Sequence, residues 1–93
     1  MTDDELILMC AVRYALGRMS YIVGVVAEYV ALKRYELSEH CRHLIVRDIE
    51  EELERYHRAG QTLGMEYDER TWCNLLLVLK EVDNDKENSS LLG

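Results

Sequence analysis

Met19-Ser-Tyr-Ile-Val-Gly-Val-Val-Ala-Glu-Tyr-Val-Ala-Leu32 is the stretch that decides how this chain folds. Only Glu28 in it is charged, and Ser20 is its one other strongly polar residue. The whole chain has 93 residues, of which 31% are charged. An apolar segment in so polar a chain has to leave water, because apolar burial is the main favourable term in folding. The run therefore marks the centre of the core. A membrane-spanning helix needs about 20 apolar residues. This run is shorter, contains Glu28, and is followed by Lys33 and Arg34. It reads as a buried helix, and no membrane partner is expected.

Its β-branched content would also suit a strand, but it is too long for one and lacks a period of two. A helix is expected from Ser20 to about Arg34. Ile22, Val25, Val26, Tyr29 and Val30 fall on one face, and Val23 and Ala27 widen it. A helix apolar on most sides is expected to be surrounded by others. The predicted centre is Ile22, Val26, Tyr29 and Val30, packed by Leu44, Ile49, Trp72 and Leu76.

Upstream, Thr2-Asp-Asp-Glu5 fits a capping box, with a hydroxyl at the N-cap and a glutamate three residues on. Leu6, Ile7, Cys10 and Tyr14 then recur at helical spacing. Gly17 is read as a break, with Ser20 as a candidate N-cap for the next helix. Downstream, Leu37-Ser38 opens a third helix that runs to about Ala59 and stops at Gly60. Its inner stripe is Cys41, Leu44, Ile45, Ile49, Leu53 and Tyr56. Gln61 to Tyr67 reads as a loop, and Asp68 as the N-cap of a fourth helix with Trp72, Leu75, Leu76 and Leu79 on one face. There is no proline. The fold class is all-α, a compact bundle of about four helices. Residues 1–82 form a single helical domain, and residues 83–93 a polar C-terminal tail expected to be disordered.

Net charge is −7, unevenly spread: Asp3, Asp4 and Glu5 supply −3, residues 83–93 supply −2, and the body between them −2. No basic patch is evident for phosphate binding, so no direct nucleic-acid contact is expected. The acidic start is unlike a basic secretory n-region, so the chain reads as cytoplasmic. Cys10, Cys41 and Cys73 are odd in number and widely spaced, and are read as reduced thiols acting as small hydrophobes.

Glu39-His-Cys-Arg-His43 resembles a metal site at first sight. On a helix, His40 and His43 occupy neighbouring faces while Cys41 turns to the core, and the ligand count for zinc is not met. No metal and no cofactor are expected. No glycine-rich phosphate loop, nucleophile elbow or nucleophile–base pattern occurs, so the chain is read as not an enzyme.

Two segments stand out as partner-binding candidates. In Arg13-Tyr-Ala-Leu-Gly-Arg-Met-Ser-Tyr21, the residues Arg13, Tyr14, Arg18 and Tyr21 bracket a glycine turn, and Arg and Tyr are enriched in binding hot spots. The competing account is internal, with Arg stacking on Tyr or capping carbonyls. In Asp48-Ile-Glu-Glu-Glu-Leu-Glu54, Glu50, Glu51 and Glu54 form an acidic face. There Glu51 is expected to pair with Arg55 and Glu54 with Arg58 at i, i+4. Docking of that face on a basic protein surface is the functional alternative to a solvated, paired helix face.

Arg13-Tyr-Ala-Leu-Gly-Arg-Met-Ser-Tyr-Ile-Val23 resembles a motif of small accessory proteins of phages and prophages. Arg47-Asp-Ile-Glu-Glu51 and Leu63-Gly-Met65 with Asp68 and Trp72 fit the same pattern. The resemblance implies a mobile-element accessory protein, a class that includes anti-CRISPR and other anti-defence inhibitors. It implies a protein partner in the host cytoplasm, a CRISPR or other defence complex, bound stoichiometrically without catalysis. A phage structural or assembly adaptor, or a self-associating helical module, is the alternative, and a homo-oligomer stays open.

Overall fold

The computed structural model describes residues 1–18, 20–59 and 66–92. Four helices follow in order: α1 (Asp3–Ala15), α2 (Ser20–Leu32), α3 (Glu39–Ala59) and α4 (Glu66–Leu92). The fold is all-α, as the sequence predicts. α1 packs on α2 and α3, and α4 packs on the same two, while α2 and α3 sit diagonally across the core. The four helices thus make a square, elongated to 47 Å by α4. The 27 residues of α4 span about 40 Å at 1.5 Å per residue.

Local chemistry sets the helix starts. The Thr2 hydroxyl accepts from the Glu5 N–H at 3.2 Å, and the Glu5 carboxylate accepts from the Thr2 N–H at 3.1 Å, completing the capping box. The Ser38 hydroxyl accepts from the Cys41 N–H at 3.2 Å and starts α3 in the same way. Gly17, at φ +83°, turns the chain between α1 and α2. That left-handed conformation suits glycine because it has no Cβ to clash. Ser20 is already the first residue of α2. Its side chain, Gly60 as a stop, and positions 61–65 of the expected loop lie outside the described residues, while Glu66 and Tyr67, expected in that loop, are the first residues of α4.

Trp72, Leu75, Leu76 and Leu79 of α4 are all buried, with Val82 continuing their face. Cys41, Ile45, Ile49 and Leu53 meet them from α3, while Leu44 and Tyr56 are only partly covered. Burying one such aliphatic side chain stabilises by about 1.5–3 kcal/mol.

Four expectations need correction. The face of α1 that packs inward is Leu8, Met9, Val12 and Ala15, whereas Leu6, Ile7, Cys10 and Tyr14 are exposed. Both sets have helical spacing. What selects between them is Glu5, whose carboxylate is held by Ser38 and so turns its own side of α1 towards α3. On α2 the buried residues are Val23, Ala27 and Val30. Ile22 and Val26 are half-buried, and Tyr29 is exposed. With only α1 and α4 as neighbours, α2 is covered on two sides, not all round.

Asp68 is not a cap. It is the third residue of α4 and is buried, and burial pushes its carboxyl up. Finally, α4 does not stop at Val82. It runs to Leu92, and the side chains of Asp83 and Asp85 contact the body of the protein. Side chains from position 86 onward lie outside the described residues.

Candidate functional site

The outer side of α2 carries a run of exposed apolar side chains. Tyr21 is 82% exposed, Leu32 71%, Val25 53% and Tyr29 51%. Positions 21, 25, 29 and 32 follow one stripe along the helix. Scattered exposed hydrophobes are ordinary, but a contiguous strip marks an interaction surface. Grooves flank it on both sides. One of about 710 Å³ lies between α2 and α4 and is lined by Tyr21, Gly24, Val25, Glu28, Leu75 and Val78, among others. The second, of about 570 Å³, lies between α1 and α2, with Ile7, Ala11, Val26, Tyr29 and Lys33 in its walls. Val25 lines both, so it forms the ridge between them.

The four residues of the Arg-Tyr segment do not form one patch. The Arg13 Nε donates to Asp48 of α3 at 2.9 Å, and the carboxylate further raises the guanidinium pKa. Arg18 stacks over the Tyr14 ring with its guanidinium carbon 4.8 Å from the ring centre. Tyr21 instead projects from α2 beside the α4 groove. Arg13, Tyr14 and Arg18 thus settle on local partners, yet all four side chains stay exposed.

The acidic residues lie on α3, diagonal to α2. Each has a cation in reach: Glu50 with Lys80 at 2.9 Å, Glu54 with Arg58 at 3.5 Å, and Glu51 with Arg47 at 3.9 Å. The expected Glu51–Arg55 pair is replaced, because Arg55 reaches Glu52. Arg13 and Glu51 both line a shallow depression shared with Leu16, Asp48, Glu52 and Arg55. The structure therefore splits the candidates: Arg13 and Glu51 line that depression, Tyr14 and Arg18 stack on each other, Tyr21 belongs to the α2 strip, and Glu50 and Glu54 pair with Lys80 and Arg58 outside all three.

Sequence reasoning missed two polar residues that fix the geometry. Arg42 is almost completely buried, donating to the Leu37 carbonyl and to Asp83, each at 2.6 Å. His43 lies 3.0 Å from the other Asp83 oxygen. Arg42 first, and His43 after it, hold the Asp83 carboxyl below its usual range. The second is Glu5, whose pKa is pulled down to about 2, chiefly by the Ser38 backbone N–H. Neither contact has a local sequence signal, though Ser38 is readable as a cap.

Cys41 is buried, and its thiol is pushed up to about 11 by burial and by the nearby Glu5 carboxylate. Cys10 and Cys73 are exposed, so only Cys41 behaves as the small core hydrophobe expected of all three. His40 is exposed, and His43 faces Asp83 rather than a ligand set. Among the described residues no group of three His, Cys, Asp or Glu side chains could hold a metal ion. No described helix is long and apolar enough to cross a membrane.

By its architecture the chain is an all-α bundle of four helices. No protein-family profile matches it, and no curated protein or solved structure is detectably similar to it.

Proposed function

We propose that this chain is a non-catalytic accessory protein of a phage or other mobile element that acts by binding another protein, as a stoichiometric inhibitor of a host defence complex such as a CRISPR complex. The observation that carries the binding part is the exposed apolar strip of α2, with Tyr21 82% accessible at its N-terminal end. Tyrosine supplies a large contact area with few rotatable bonds, which suits an anchor. A net charge of −7 would steer the protein towards a basic surface, of the kind nucleic-acid-handling complexes present. The mobile-element part rests on the resemblance of residues 13–23 to phage accessory proteins.

On this reading Tyr14, Arg18 and Tyr21 contribute to contact. Glu50, Glu51 and Glu54, partly neutralised by their cations, contribute mainly to the approach. The alternative, a phage structural or assembly adaptor, would set the same strip against a virion protein.

The test is phage plating on a host with an active CRISPR system, with and without the chain, followed by affinity capture from that host. Restored plating and capture of defence subunits at fixed stoichiometry are expected. Unchanged plating with capture of virion proteins alone would favour the adaptor.

A further inference from the structure

α2 carries a glycine in its interior. Gly24 sits between Val23 and Val25 in the middle of the helix, where glycine costs more backbone entropy than alanine would. Among the described residues no neighbouring element calls for it, since a Cβ built there would meet none of their atoms within 4 Å. The bare backbone faces the groove between α2 and α4, with Tyr21 and Val25 beside it and Leu75 and Val78 on the α4 side. Across such a strip another helix can approach more closely than across side chains. The 13 residues of α2 offer it a track of about 20 Å.

Charge narrows what that helix is. Among the described residues Glu28 is the one charged side chain lining the groove, and no cation lines it. Glu50, Glu51 and Glu54 on α3 each have a cation in reach, whereas Glu28 has none among the described residues. An occupant that covered an unpaired carboxylate would pay its desolvation with nothing in return. One that set a cation against it would gain a charge-assisted hydrogen bond. A second copy of this chain offering the same groove would bring another Glu28 and no cation, along with another charge of −7.

We infer that the α2/α4 groove docks an amphipathic helix of the partner protein, with a lysine or arginine on its apolar face set against Glu28. This rests on the reading that the chain works by binding a protein, and adds the form and charge of what it binds.

The experiment is selection of a displayed library of short amphipathic helices on the immobilised full chain. The selected helices should be enriched in arginine or lysine within the apolar face. Synthetic copies should bind about tenfold or more weakly to Gly24→Leu, which fills the groove, a loss typical of a blocked hot spot. Asn74→Trp, from the α4 wall, should do the same, and Glu28→Lys should turn the preference towards acidic helices. Circular dichroism should show each variant as helical as the original.

Selected helices without basic enrichment, or equal binding to both groove-filling variants, would overturn the inference. So would a chain that sediments as a dimer and becomes a monomer on Gly24→Leu. The selection uses no host protein, so its failure is separable from failure of the inhibitor reading. An inhibitor untouched by Gly24→Leu and Asn74→Trp keeps its function and loses this groove. Basic helices selected on a chain that inhibits no defence keep the groove alone.

Discussion

The Glu5 carboxylate accepts from both the backbone N–H and the hydroxyl of Ser38, at 2.8 Å each. Its other oxygen accepts from the Thr2 N–H, closing the capping box of α1. One side chain thus ties the N-terminus of α1 to that of α3, and these contacts favour its ionised form.

That tie should make stability depend on acid. The Glu5 pKa falls from 4.5 to about 2 on folding. A group depressed in the folded state stabilises fully above its unfolded pKa and loses that contribution as pH falls towards the folded one. Thermal melting should therefore show Tm dropping between about pH 4.5 and pH 2 partly through Glu5. Glu5→Gln should melt lower than the original at pH 6, with the gap closing at pH 2. A constant gap across that range would mean that the neutral side chain serves the two caps equally well.

Arg42 and Asp83 should behave as a coupled pair. Arg42 is 1% exposed and Asp83 38%, so removing Asp83 leaves a buried cation with only the Leu37 carbonyl. Breaking a buried pair costs about 3–5 kcal/mol, and the partial exposure of Asp83 places this one at the lower end. Urea unfolding of Asp83→Ala, Arg42→Met and the double variant should reveal non-additivity. Truncation after Val82 should destabilise at least as much as Asp83→Ala, because it also removes the Tyr35–Asp85 hydrogen bond. A truncated chain of unchanged stability would restore residues 83–93 to the dispensable tail that their polarity implies.

The two turn and helix glycines should respond oppositely to alanine. Gly17 has φ +83°, so Gly17→Ala should destabilise by about 1–2 kcal/mol through backbone strain. Space is not the obstacle there, since the nearest atoms to an added Cβ are the Tyr56 hydroxyl at 3.5 Å and a Glu52 oxygen at 3.7 Å. Gly24 is helical with open space, so Gly24→Ala should stabilise by about 0.5–1 kcal/mol. Chemical denaturation of the two variants checks both signs. A destabilised Gly24→Ala would show that the helix needs the glycine for itself.

How far the sequence could be read depended on contrast between polar and apolar residues. Trp72, Leu75, Leu76 and Leu79 recur at i, i+3, i+4 and i+7, and that stripe is the buried one although the apolar Leu77 and Val78 interrupt it. The Thr2 and Ser38 caps and the Gly17 turn are local chemistry and were equally legible. α2 was not, because thirteen mostly apolar residues give no polar side from which to set the phase of the helix. In α1 two apolar stripes competed, and the deciding Glu5–Ser38 contact spans 33 positions. Arg42 reaches Asp83 across 41 positions, and nothing near either residue announces it. Of the candidate site, Tyr21 was visible as an aromatic in a marked segment. The groove beside it needs α4 in place.

The phase of α2 can be tested with neighbouring valines. Val23 is 1% exposed and packs in the core, whereas Val25 is 53% exposed on the ridge between the two grooves. Val23→Asp buries a carboxylate with no partner, a change that costs several kcal/mol and is large against the whole stability of a small domain. It should abolish cooperative melting near neutral pH. Val25→Asp places the same charge in solvent, where substitutions usually change stability by about 0.5 kcal/mol or less. It should fold normally, yet weaken binding to any partner seated on α2, because it adds a carboxylate to an apolar contact. Melting curves and binding of the folded variant to the captured partner provide both readings. If Val25→Asp unfolds the chain and Val23→Asp does not, α2 is rotated from the orientation described, and both grooves fail with it.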